Sequence, residues 1–291
     1  MLIFRIRPFG ADVRHRGGWR RRWPARSLRG VRGFGAVLAV TFLLVAGCGA
    51  GPRAHAAAVG GGPRVLSRVV QLARAKDRPI PTTVWFLSGP AGTGMAAGRH
   101  PIVLFSHGLG GLPEQFTPLA TGWAEAGYVV AAPTYPRTNG HVKQPDAGDI
   151  HNQPADAAYV LRKLVGGTLA PHLDGEHVAV VGFSAGATTT LGMFRKGHSP
   201  SLRAAVSIAG RRPSTGFGGP AAPMLFLHGD EDPVVPIEAG RAAYDAVPWP
   251  KTFIPVHGAG HGQYLNPGHP DYPATSARIL DFLEANVPVP R

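Results

Sequence analysis

Three side chains that could pass a proton between them occur late in this chain, in the order serine, acid, histidine. Each follows a run of apolar residues. The run 177–182 enters Gly182-Phe183-Ser184-Ala185-Gly186, a Gly-x-Ser-x-Gly pattern. The run 223–228 enters His228-Gly229-Asp230-Glu231-Asp232-Pro233-Val234-Val235. The run 251–256 enters His257-Gly258-Ala259-Gly260-His261-Gly262. A serine hydroxyl is a weak nucleophile at neutral pH. It needs a base to take its proton and an acid to orient that base and stabilise its cation. The segments supply Ser184, either Asp230 or Asp232, and either His257 or His261.

Such chemistry requires elements that bring the three segments to one edge. Apolar runs at 65–73, 82–87, 102–106, 128–132, 177–182, 203–208, 223–228 and 251–256 read as strands, several of them apolar throughout and so covered on both faces. Helical patterns fall between them at 114–126, 153–165, 185–195, 237–246 and 274–286. The alternation predicts one α/β domain with a mostly parallel sheet flanked by helices. Ser184 then sits on a sharp strand-to-helix turn made possible by Gly182 and Gly186. The Ala185 N–H opens the following helix, where it can face an anion. The bland reading of the pentapeptide is an ordinary turn with a capping serine. The long Gly- and Pro-rich segments 133–151 and 209–222 are expected to border an open crevice, lined by Leu109, Phe183 and Phe217.

Across residues 65–286 the chain resembles the serine α/β-hydrolases. "LHGDEDPVVP" is similar to that superfamily's acid loop and selects Asp232 over Asp230. "GAGHG" is similar to its histidine loop and selects His261 over His257. "FSHGLGG" at 105–111 resembles the loop that donates one oxyanion N–H, which implies Leu109 beside Ala185. The segments "RHPIVLFSHGLGG", "WAEAGYVVAAPTYP" and "HNQPADAAYVLRKL" are similar to platelet-activating-factor acetylhydrolases and dienelactone-hydrolase-like esterases, with bacterial polyester hydrolases near by. Phe183 and Ala185 replace the His and Met that flank the serine in polyester hydrolases, which argues against a polymer substrate. A serine nucleophile argues against dienelactone, whose true hydrolases use cysteine. The resemblance implies a carboxylic-ester hydrolase that forms an acyl-enzyme on small or short-acyl esters, acts as a monomer and needs no cofactor or metal. Two other readings stay open: a peptidase or amidase on the same fold, and a non-catalytic surface-binding lipoprotein.

Charge and composition limit what else the chain does. Of 291 residues, 30 are Lys or Arg and 17 Asp or Glu. Ten Arg and one Asp lie in residues 1–33, so the rest of the chain is nearly balanced and carries no basic stripe for nucleic acid. After that Arg-rich leader comes the apolar run Phe34–Gly47, too short to span a bilayer, and then Cys48, the sole cysteine. Val45-Ala46-Gly47-Cys48 resembles a bacterial lipobox. The implied organisation is a lipoprotein signal peptide at 1–47, a flexible tether at 48–63 and a catalytic domain at 64–291. Cys48 would then carry a lipid anchor on an exported, membrane-attached protein. The alternative is an ordinary signal peptide and a secreted protein. The leader is long; either it is real or translation starts downstream, for instance at Val31.

The remaining candidates have plainer readings. Glycines between His257 and His261 preclude a helical metal pair. His141, Asp149 and His151 share one loop without a recognisable zinc spacing. His107 and His228 are expected to brace loops, and Arg211 and Arg212 to be solvated.

Overall fold

The computed structural model describes residues 62–290. The leader, the apolar run and Cys48 lie outside the described residues. The elements in chain order are β1 (Val65–Val70), β2 (Ala73–Ala75), β3 (Arg78–Pro79), β4 (Thr82–Leu87), β5 (His100–Ser106), α1 (Thr117–Glu125), β6 (Val129–Pro133), α2 (Gln153–Val165), β7 (Leu173–Phe183), α3 (Ala185–Gly192), β8 (Leu202–Ile208), β9 (Met224–Gly229), α4 (Ile237–Ala246), β10 (Lys251–Val256) and α5 (Tyr272–Asn286). Eight strands form one sheet in the order β1-β4-β6-β5-β7-β8-β9-β10. β1–β4 and β4–β6 pair antiparallel, and every later neighbour pairs in parallel. This is the α/β-hydrolase arrangement, a single α/β domain with a mixed, mostly parallel sheet.

Period-two alternation explains why the central runs are apolar throughout. On β5, Ile102 and Leu104 join one core cluster while Val103 and Phe105 join the other; on β7, Val178 and Val180 oppose Ala179 and Val181. The first cluster receives Val160, Leu161 and Leu164 of α2, Leu191 of α3 and Ala243 of α4. The second receives Leu119 and Trp123 of α1 and Ile279 and Leu283 of α5. Each of these larger side chains contributes about 1.5–3 kcal/mol by leaving water.

The structure departs from the periodicity reading in a few places. The expected strand 65–73 ends at Val70, and the chain turns into the β2–β3 hairpin. That hairpin has no apolar alternation to announce it. Arg78 is buried there through ion pairs instead: its guanidinium bonds both oxygens of Asp149, at 2.9 and 3.0 Å, and also engages Asp156. Arg74 reaches Asp156 as well, at 2.6 Å. β7 starts at Leu173, before the apolar run, because Leu173 and Asp174 pair with His100 and Pro101 ahead of a register shift. The helix after Ser184 stops at Gly192 rather than 195. The pattern at 114–126 splits into a 3-10 turn, Pro113–Phe116, and α1. Among the described residues no helix is long and apolar enough to cross a membrane.

Candidate active site

β5, β7, β8, β9 and β10 run parallel, so their carboxyl ends share one edge of the sheet, and the three motif segments emerge there. β7 ends in Phe183, and Ser184 takes φ 55° and ψ −118°, a conformation that costs an L-residue energy. The turn is tight. A Cβ on Gly182 would lie 2.2 Å from the Gly186 carbonyl oxygen, and one on Gly186 would lie 2.0 Å from the Ser106 carbonyl oxygen. Only glycine fits at either position, and the pattern around Ser184 records that constraint.

Ser184 Oγ lies 2.9 Å from His261 Nε2, and His261 Nδ1 lies 2.7 Å from Asp232 Oδ2. The second oxygen, Asp232 Oδ1, accepts the N–H groups of Val234 and Val235, both at 2.8 Å. That pattern, an acid bonded to the amides two and three residues on, is an Asx-type turn. Burial works against the Asp232 anion, but the bonds from His261, Val235 and Val234 outweigh it and hold the carboxyl below its ordinary range. The Phe183 ring packs on the His261 ring with centroids 4.9 Å apart. Gly262, at φ 81°, has no Cβ to meet that ring, which would otherwise stand 2.4 Å away.

The other acid and histidine also find each other. His257 Nδ1 lies 2.8 Å from Asp230 Oδ2, and the Gly258 N–H donates to Asp230 Oδ1 at 2.7 Å. Each loop therefore sends one residue inward to Ser184 and one outward to a surface pair.

Leu109 and Ala185 lie on the two segments that flank Ser184. A Cβ on Gly108 would stand 3.3 Å from Ser184 Cβ, so the loop after β5 touches the serine. The Gly108 carbonyl accepts the Gly111 N–H at 2.9 Å and contacts His107 Nδ1 at 2.7 Å. Because the peptide is trans, these bonds turn the Leu109 N–H to the opposite side. Ala185 is the first residue of α3, and its N–H has no acceptor within the helix. The imidazole of His107 is buried, and that burial holds it neutral by lowering its pKa. His228 is likewise pushed down by burial, and its Nε2–H donates to the Val235 carbonyl at 2.7 Å, fixing the far end of the acid loop. Both expected loop braces are thus in place.

A cavity of about 220 Å³ adjoins the triad, lined by Gln115, Phe116, Phe183, His261, Gln263 and Asn266. Sequence reasoning named only Phe183 and His261 of these. Gln115 and Phe116 fall in a segment that reads as the start of a helix, and the Gly262 turn that carries the others looks like ordinary loop, so neither signals a site. Leu109, expected to line the crevice, is exposed and is not among the residues that line this cavity. Phe217 is not at the site: it packs edge-on against Trp249, and its neighbour Gly218 bonds the Phe194 carbonyl, at the end of α3 remote from Ser184. The Gly-rich segment around it carries no signal that distinguishes a crevice wall from a cover over α3. Arg211 is exposed but not purely solvated, since its guanidinium donates to the Val234 carbonyl at 3.0 Å. A larger cavity of about 690 Å³ lies beside α2 and the segment after α3, and no triad residue lines it. Asp149 is held by Arg78, and no His, Cys, Asp or Glu cluster among the described residues could hold a metal ion.

Residues 87–278 match the model of the dienelactone hydrolase family. No curated protein matches the chain. Among solved structures, the ferulic acid esterase from Streptomyces cinnamoneus is similar in fold, with a TM-score of 0.62, 19% identity, and 78% of this chain and 89% of that chain covered.

Proposed function

This chain belongs to the dienelactone hydrolase family, and from that premise we propose that it is an exported serine carboxylic-ester hydrolase acting through an acyl-enzyme on short-acyl esters. The observation that carries the reading is the hydrogen-bonded line Ser184–His261–Asp232, with its nucleophile on a strained turn. Ser184 Oγ attacks the ester carbonyl carbon while His261 Nε2 takes its proton. Asp232, an anion held by two backbone amides, keeps the Nδ1–H tautomer and stabilises the imidazolium. The N–H groups of Leu109 and Ala185 receive the negative oxygen of the tetrahedral intermediate, each worth roughly 3–4 kcal/mol. His261 passes its proton to the leaving alcohol. Water then attacks the acyl-enzyme by the same route, and Ser184 is restored.

A short acyl group is supported by the exposed Leu109, next to the Gly108 that touches Ser184, and by the long segments 133–151 and 209–222, which hold no α-helix that could form a lid. The test uses a fluorophosphonate probe and p-nitrophenyl esters of two to sixteen carbons. Wild type is expected to be labelled and to favour acetyl to hexanoyl esters; Ser184→Ala is expected to do neither. An unlabelled wild type that hydrolyses no ester in the series overturns the reading.

The lipobox-like Val45–Cys48 supports lipidation of Cys48 and attachment to a membrane. Radiolabelled palmitate is then expected in the wild type and not in Cys48→Ala. Equal labelling of both excludes the anchor.

A further inference from the structure

The proposed oxyanion donors lie on separate segments, Leu109 after β5 and Ala185 at the start of α3. A hole of two amides works only if their separation is held fixed, since a displacement of about 1 Å can cost on the order of a hundredfold in rate. The structure has a buried polar chain that spans the two segments. The Gly110 N–H, next to Leu109, donates to the Thr138 carbonyl at 2.7 Å, and the Gly140 N–H donates to the Gly111 carbonyl at 3.0 Å. The loop after β6 is thereby bound to the Leu109 loop. From that loop, Thr138 Oγ1 accepts Gln153 Nε2 at 2.6 Å. The other end of the same amide, Gln153 Oε1, bonds the Thr189 hydroxyl, which also lies 3.0 Å from the Ala185 carbonyl oxygen. Thr138, Gln153 and Thr189 are fully buried.

A buried glutamine costs free energy unless both ends of its amide are paired, so its presence in a core helix position calls for an explanation. α2 needs no polar residue there for its own sake: Gln153 is its first residue, and its side chain bonds Thr138 and Thr189, neither of which belongs to α2. A leucine could fill the space between α2 and α3. The amide offers something an alkyl chain does not, a fixed length and direction between a hydroxyl on one loop and a hydroxyl on α3.

We propose that Gln153 is a positioning residue that sets the distance between the Leu109 and Ala185 N–H groups through Thr138 and Thr189. It touches no substrate. The inference rests on the esterase reading above and deepens it. Removing the amide lets the Leu109 loop shift relative to α3, which weakens binding of the tetrahedral oxyanion while leaving the neutral ester almost unaffected.

The experiment compares wild type, Gln153→Leu and the milder Thr138→Val. It reads kcat and KM on p-nitrophenyl acetate, the Ki of an aryl trifluoromethyl ketone that forms a tetrahedral adduct with serine, and Tm. Gln153→Leu is expected to lower kcat about tenfold at near-constant KM and to raise the ketone Ki by a similar factor, with Thr138→Val intermediate. If Gln153→Leu does not fold, Thr138→Val carries the test, with the same parallel fall in kcat and ketone affinity. A fall in Tm with kcat and Ki within twofold of wild type makes the chain purely structural and overturns the proposal. A wild type with no esterase activity instead removes the reading beneath it, and the two failures are distinguished by that control.

Discussion

Two aspartate–histidine pairs join the loop after β9 to the loop after β10, and by hydrogen-bond length they are nearly indistinguishable. Asp230–His257 closes at 2.8 Å and Asp232–His261 at 2.7 Å. Their surroundings differ. The side chains of the first pair are 33% and 83% exposed; those of the second are 0% and 16% exposed. The inner acid has two amides on its free oxygen, and the inner histidine has Ser184 on its free nitrogen. The outer histidine has solvent there. A short contact between an acid and a base is therefore no sign of chemistry. Burial, which keeps water from competing for the proton, and a third partner distinguish the pair that could act on a substrate.

The largest way to break this comparison is Asp232→Asn. The side chain keeps its shape, but its amide nitrogen can present a donor to His261 Nδ1 and impose the wrong tautomer. We expect kcat on p-nitrophenyl acetate to fall by about 10⁴ with the fold retained. A loss under tenfold would return the acid's role to Asp230.

Burial alone does not mark a working acid either, and Arg78 supplies the contrast. Its bonds to Asp149 and Asp156 are at least as buried as the Asp232 site, yet they only fasten the β2–β3 hairpin to the start of α2. Arg78→Met leaves the buried Asp149 without a cation and Asp156 with Arg74 alone. It is expected to cost about 3–5 kcal/mol in urea unfolding, with kcat of the folded fraction within a few-fold of wild type. A loss of kcat as large as that of Asp232→Asn would make this network part of the chemistry.

The histidines extend the comparison to pH. His107 and His228 are buried and pushed down from their ordinary value, so they stay neutral in the fold, whereas the unfolded chain protonates them near 6.5. Between those values the unfolded state binds more protons. Stability is therefore full above about 6.5 and is lost as pH falls through the lowered pKa values. Tm is expected to be flat from pH 8 to 7 and to drop below that, with a shallower slope in His107→Asn. An unchanged slope would mean that His107 is not held neutral.

How far the sequence discloses all this depends on what kind of constraint a residue answers. Ser184, Asp232 and His261 sit at the ends of apolar runs, and the glycines around Ser184 are demanded by contacts near 2 Å, so a strict local rule is written in the residue types. The core strands are legible for the same reason. Arg78, Gln153 and Phe116 answer constraints that come from segments 15 to 78 residues away, and nothing in their neighbours reports a distant carboxylate, hydroxyl or ring. Phe217 failed as a site residue on that ground: a Gly- and Pro-rich loop gives its length but not the surface on which it folds.

The smallest expected effect is the most direct check on the comparison. Asp230 is bonded to His257 and to the Gly258 N–H, and these bonds, His257 first, lower its pKa. The pair nonetheless faces water, which offers each partner equivalent bonds, and salt screens what charge attraction remains. Its links to Ser184 run through backbone alone: along its own loop to Asp232, and along the next loop from Gly258 to His261, with the Glu231 N–H on the Ala259 carbonyl between the two. Asp230→Asn keeps an acceptor for the Gly258 N–H and so should leave that loop where it is. We expect less than a tenfold change in kcat, and a change in Tm no larger than that of a neutral surface substitution. The measurement is the same p-nitrophenyl acetate assay used for Asp232→Asn, run side by side at low and high salt. A loss of a hundredfold or more, or one that deepens at high salt, would show that the outer pair sets the position of the inner one.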